Sequence, residues 1–121
     1  MIVNPLTAAG QVMGGTVQGL GQAMLEQIVY DDNGQLLTGS LMDYCLPRAD
    51  DLCGFDIEFY TEAPTERNQL GVKGSGEAGC CGALPALVNA VCNALHPLGV
   101  HHIEMPLTPH NVWRAIEAAR S

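Results

Sequence analysis

The sequence predicts an α+β domain, with two principal helices packed on a small, mostly antiparallel sheet and a short helix at the C-terminus. Three observations predict it. Apolar residues recur at spacings of three and four over residues 8–29, the same period returns from about Ala83, and "FDIEFYTE" between them alternates at period two. Residues 1–121 read as a single domain, because nothing repeats and no linker-like stretch divides the chain.

In the first helical segment Met13, Val17, Leu20, Met24 and Ile28 form the apolar stripe. Gln11, Gly15, Gln18 and Gln22 fall at i, i+4, i+7 and i+11, so another face carries amides and bare backbone. Glycines stand at 10, 14, 15, 19 and 21. Each costs about 0.8–1 kcal/mol relative to alanine inside a helix, so something must come close to this backbone. Two readings stay open: tight packing against another element, or a ligand whose polar groups satisfy the glutamines.

Asp31-Asp32-Asn33-Gly34 is a turn signal, with Asn-Gly suited to a type I′ hairpin between "EQIVY" and "QLLTGS". In "FDIEFYTE", Phe55, Ile57 and Phe59 would face the core, while Asp56, Glu58 and Tyr60 face out. "APTERNQLG" reads as an exposed loop. The second helix, from about Ala83, accepts Pro85 in its first turn, carries Leu84, Val88, Val91 and Leu95 as its apolar line, and ends at His96-Pro97. Thr108 then caps a terminal helix that has Pro109 at its first position.

Thirteen acidic residues against five basic ones give a formal charge of −8. The bases, Arg48, Arg67, Lys73, Arg114 and Arg120, are scattered, which argues against a nucleic-acid partner. No stretch reads as a membrane span or as a signal peptide, and five cysteines without secretory features suit a reducing, cytoplasmic setting. The cysteines read as packing residues, and the four histidines have no carboxylate or cysteine at ligand spacing. No protein metal ligand is predicted.

"LGVKGSGEAGCCG" holds one acid, Glu77, among glycines. Gly71, Gly74, Gly76 and Gly79 permit a sharp turn whose amides can lie against a ligand at a helix N-terminus. On residue types alone, a flexible connector in which Glu77 simply complements the helix dipole is the stronger reading. The segment lacks the G-K-[ST] of a phosphate loop, and no apolar strand precedes it as a dinucleotide fold requires.

Taken together, "VNPLTAAGQVMGGTVQGLGQAMLEQIVYDDNGQLLTGSLMDYCLP", "LGVKGSGEAG" and "MPLTPHNVWRAI" resemble, in order and spacing over nearly the whole chain, the C-terminal part of the molybdenum-binding subunit of the xanthine dehydrogenase, aldehyde oxidase and CO dehydrogenase family. The resemblance implies part of a molybdopterin-binding domain of a molybdenum hydroxylase, which oxidises an aldehyde, purine, N-heterocycle or CO with oxygen derived from water. It implies molybdopterin cytosine dinucleotide as cofactor, with the metal held by the pterin dithiolene. Glu77 would be the general base that deprotonates the metal's hydroxyl ligand. Gln11 would contact the cofactor, with Gly14, Gly15, Gln18, Gly74, Ser75 and Gly76 lining the same pocket. Partners implied are the remainder of the subunit, iron–sulfur and FAD subunits or domains, and a small-molecule substrate.

The sequence departs from the family pattern in two places. Ser75 stands where an apolar residue is usual, and Cys80-Cys81 replace small or β-branched residues. The family's subunits are far longer, so the chain alone is expected to be inactive. The alternative is a free-standing remnant without cofactor that self-associates, as a homodimer, through exposed apolar patches.

Overall fold

A computed structural model describes residues 1–120. Its elements are three α-helices, α1 (Pro5–Met24), α2 (Ala78–Leu95) and α3 (Pro109–Ala119), with short 3₁₀ turns at Ala49–Asp51 and His96–Leu98. Among the described residues there is no strand, so the expected sheet is absent and the fold is not α+β.

The reason lies in pairing. Phe55, Ile57 and Phe59 are half-buried and Asp56, Glu58 and Tyr60 exposed, so the alternation is real. The segment nevertheless forms no ladder with any other described stretch of the chain, and alternation alone does not make a sheet. At the expected hairpin a single antiparallel bridge joins Tyr30 and Leu36. The turn is not type I′ either. Gly34 has φ of 81° but no other residue type takes a positive φ, and Asp31 Oδ1 instead accepts from the amides of Asn33 and Gln35.

α1 begins earlier than the apolar stripe suggests, because Asn4 caps it by accepting from the Thr7 amide and Pro5 supplies the first turn. It stops at Met24, short of the expected 29, where Leu25 leaves the helical region and the amides of Leu25 and Glu26 both donate to the Gly21 carbonyl. α2 also begins earlier than expected, directly after Glu77, which leaves Pro85 inside the helix instead of in its first turn. Proline has no N–H, so the Cys81 carbonyl one turn back loses its helical donor there. Gly99, with φ of 85°, closes the following 3₁₀ turn. Thr108 caps α3 as predicted, accepting from the Asn111 amide.

α1 and α2 pack through small residues. A Cβ on Gly15 would lie 3.1 Å from the Cys80 nitrogen, and one on Gly19 would lie 2.7 Å from the Ala83 Cβ. Gly79 is closed off by the Val12 carbonyl and the Thr16 amide. The two backbones therefore approach as closely as glycine permits. Ala23, Ala83, Val100, Ile103 and Leu107 form the buried apolar core, where the Leu107 amide donates to the Ala23 carbonyl at 2.7 Å. The chain over 100–107 thus closes the end of the helix pair.

The expectation that no stretch reaches membrane-spanning length needs correction. Ala78–Leu98 is 21 residues long and contains an 18-residue window of mean hydropathy 1.5, long and apolar enough by composition to cross a bilayer. An apolar helix of this kind also occurs in protein cores; here Gly79 and Ala83 are buried against α1, and the rest of the helix is exposed or half-buried.

Candidate functional site

Two glycine-rich motifs meet at the start of the helix pair. Gln11, in the second turn of α1, donates from Nε2 to the carbonyl oxygen of Gly76 at 2.8 Å, joining segments 65 residues apart. Between them opens a groove of about 510 Å³, lined by Met1–Asn4, Thr7, Ala8, Gln11, Phe59, Val72, Lys73, Ser75 and Gly76. Gln11, Ser75 and Gly76, three of the residues singled out from sequence, therefore share one cavity wall.

The loop before this turn is braced. Asn68 uses its whole side-chain amide on Val72, donating from Nδ2 to the carbonyl at 2.9 Å and accepting from the amide at 3.2 Å. Gly71, at φ of 66°, lets the chain double back so that its carbonyl receives the Thr65 amide. "APTERNQLG" is thus an ordered support for the segment after it.

Glu77 is the N-cap residue of α2, with φ −108° and ψ 4°, and its side chain makes no capping hydrogen bond. It is exposed, and among the described residues no hydrogen bond or ion pair engages its carboxylate. An anion here lies at the positive end of the helix dipole. It is one residue from Gly76, which lines the groove.

The remaining sequence-selected positions divide. Gly15 is buried, and the α2 backbone accounts for its missing side chain. Gly14, Gly74 and Gly76 have no atom within 4 Å of a built Cβ and do not take positive φ, so nothing in this chain explains why they are glycine. Gln18 is exposed and outside the groove. Lys73, Asn4 and Thr7 line the groove and were missed from sequence. Lys73 could have been noticed as the chain's lone lysine, set within the glycine-rich motif.

Among the described residues no group of three or more His, Cys, Asp or Glu could hold a metal ion. The polar groups fit a polar organic ligand: an accepting amide oxygen, a hydroxyl and a donating ammonium beside bare glycine backbone.

Comparison with known proteins defines the class. Residues 1–53 match a family model described as a molybdopterin cofactor-binding domain. The chain is 44% identical over 115 residues to the nicotine 6-hydroxylase large subunit of Paenarthrobacter nicotinovorans, covering 95% of this chain and 14% of that protein. It superposes on quinoline 2-oxidoreductase from Pseudomonas putida 86 with a TM-score of 0.90 at 41% identity, covering 96% of this chain and 15% of that one. The Cu,Mo-CO dehydrogenase in its carbon monoxide reduced state gives the same TM-score at 35% identity, with coverages of 98% and 15%. The chain therefore has the fold and motifs of a molybdopterin-binding domain. It belongs to the molybdenum-binding large-subunit family of the xanthine dehydrogenase and CO dehydrogenase type, and spans about one-seventh of the length of the relatives it matches.

Proposed function

We propose that the chain supplies one wall of the active site of a molybdenum hydroxylase, with Glu77 as its general base. The observation that carries this reading is the convergence of Gln11, Ser75 and Gly76 on one groove, with the unpartnered Glu77 carboxylate next in sequence. A molybdopterin cofactor, in the cytosine dinucleotide form, would supply the redox chemistry when bound. Gln11 and Ser75 would hold it by hydrogen bonds. Gly14, Gly74 and Gly76 would let it reach the backbone, with Gln18 at the outer edge of the same face.

A carboxylate suits the base's task because a metal acidifies the water bound to it, so a weak base suffices to take the proton. Glu77 would hold that proton on a carboxyl oxygen beside the groove and release it to solvent. The partners on this reading are the rest of the molybdenum subunit, iron–sulfur and FAD modules that carry electrons away, and a small aldehyde or N-heterocycle as substrate. Five unpaired cysteines support a reducing, cytoplasmic setting.

The test is molybdenum and pterin content of the complete subunit carrying this sequence, with turnover of an aldehyde and N-heterocycle panel by wild type and Glu77→Gln. Metal retained with turnover down by about 100-fold or more in Glu77→Gln is the expected result. A subunit without molybdenum, or a variant that turns over normally, removes the assignment.

A further inference from the structure

The hydrogen bond between Gln11 and Gly76 does more than line a pocket. A carbonyl oxygen can only accept, so the Gln11 amide must present its nitrogen to Gly76, and this fixes which way the amide faces. One N–H is committed to the protein. The carbonyl oxygen Oε1 and the second N–H stay available to the groove that Gln11 lines.

The Gly76 carbonyl belongs to the peptide plane that also contains the Glu77 nitrogen and Cα. Holding that oxygen therefore holds the plane from which Glu77 departs. Its surroundings make the tie matter. A Cβ built on Gly74 or Gly76 would have no atom within 4 Å, and glycine resists bending least. Within the turn the Ala78 amide reaches the Ser75 carbonyl only at 3.4 Å, while the Cys81 amide donates to the Glu77 carbonyl at 3.0 Å as part of α2. Helix α2 thus fixes Glu77 from its C-terminal side, and Gln11 fixes it from the N-terminal side. The far end of the tether is rigid, because α1 is locked against α2 through Gly15, Gly19 and Gly79.

From this we infer that Gln11 is a positioning residue for Glu77: its amide clamps the Gly76–Glu77 peptide to α1 and so sets where the carboxylate stands. The inference rests on the reading of Glu77 as the base. It assigns Gln11 a role toward the protein that is separate from any contact with cofactor.

The experiment uses the complete subunit with Gln11→Met, which keeps the side chain's length and loses the donor, and Gln11→Asn, which keeps the donor one methylene shorter. In the metal-free protein, amide hydrogen exchange over residues 74–78 should quicken about threefold to tenfold in Gln11→Met, as loss of one hydrogen bond implies, and less in Gln11→Asn, with residues 16–24 of α1 unchanged. In cofactor-loaded protein at matched molybdenum content, Gln11→Met should lower kcat about tenfold and leave KM within about twofold. Gln11→Met combined with Glu77→Gln should be no slower than Glu77→Gln alone. Unchanged exchange in both variants, or additive losses in the double variant, overturns the inference. Should Gln11→Met fail to fold, Gln11→Asn decides by the same exchange measurement. Normal turnover by Glu77→Gln instead removes the base reading and the catalytic part of this inference with it, while exchange still rules on the tether.

Discussion

Gly19 of α1 faces Ala83 of α2 so closely that a Cβ on the glycine would lie 2.7 Å from the alanine Cβ and 3.0 Å from the Cys80 carbonyl oxygen. The helix pair is built on this contact, and with it the relation between Gln11 and the turn before Glu77. Neither Cys80 O nor the Ala83 backbone can retreat without unwinding α2. Gly19→Ala and Gly79→Ala should therefore each destabilise the chain by about 1–3 kcal/mol, the usual cost of overpacking. Denaturant unfolding checks this; a midpoint at the wild-type value in both variants refutes the close crossing.

Gly14 is the counterpart. It lies in the same helix, with no atom within 4 Å of a built Cβ. Gly14→Ala should stabilise the chain by about 0.4–1 kcal/mol, since alanine is the better helix former and meets nothing. If cofactor approaches the backbone here, the same variant of the complete subunit should bind less molybdopterin. A variant both more stable and fully loaded with pterin would show that Gly14 has no cofactor role.

Leu107 is 1% exposed and is the largest side chain buried to that degree. It closes the open end of the helix pair beside Ala23. Leu107→Ala should cost about 2–5 kcal/mol, as truncation in a packed core does. Loss of less than about 1 kcal/mol in thermal or urea unfolding would mean that segment 100–107 is not part of the cooperative core.

Tyr44 donates its hydroxyl to Glu26 Oε2, linking the loop after the Tyr30–Leu36 bridge to the end of α1. That hydrogen bond, then partial burial and the Glu26 charge, pushes the phenol above the ordinary tyrosine value. A group whose folded value is raised stabilises fully below its unfolded value, about pH 10 for tyrosine, and loses that contribution as pH rises through the folded value. The stability gap between wild type and Tyr44→Phe should thus be level from neutral pH to about pH 9 and shrink above it. A gap independent of pH up to about pH 12 would argue against the Glu26 partnership.

Much of this was legible in the chain. Caps are local devices, so Thr108-Pro109 announced α3 by itself. Glu77, Gln11 and the glycine spacing were likewise visible, and with the family resemblance they pointed to a molybdenum site. The limits of α1 and α2 were less so. The apolar stripe ran on through Ile28 where the backbone had already left the helix at Leu25, and Asn4 capped a helix whose first turn carries no buried face. Thr7 joins the groove through the fold alone, since nothing in its local spacing marks it, whereas Lys73 carried a sequence signal as the lone lysine in the glycine-rich motif.

The sequence by itself determined which segments are helical, which residues could do chemistry, and the family to which the chain belongs. Periodicity is a property of one segment, and it reports which faces are apolar. Whether an alternating segment becomes a strand depends on pairing with a second backbone, and residues 55–60 form no ladder among the described residues. Only the tertiary structure decided that there is no sheet, that Gly15 and Gly19 serve packing while Gly14 stands open, and that Gln11 reaches Gly76. Each of these is a contact between residues far apart in the chain, and such contacts are set by how whole helices pack.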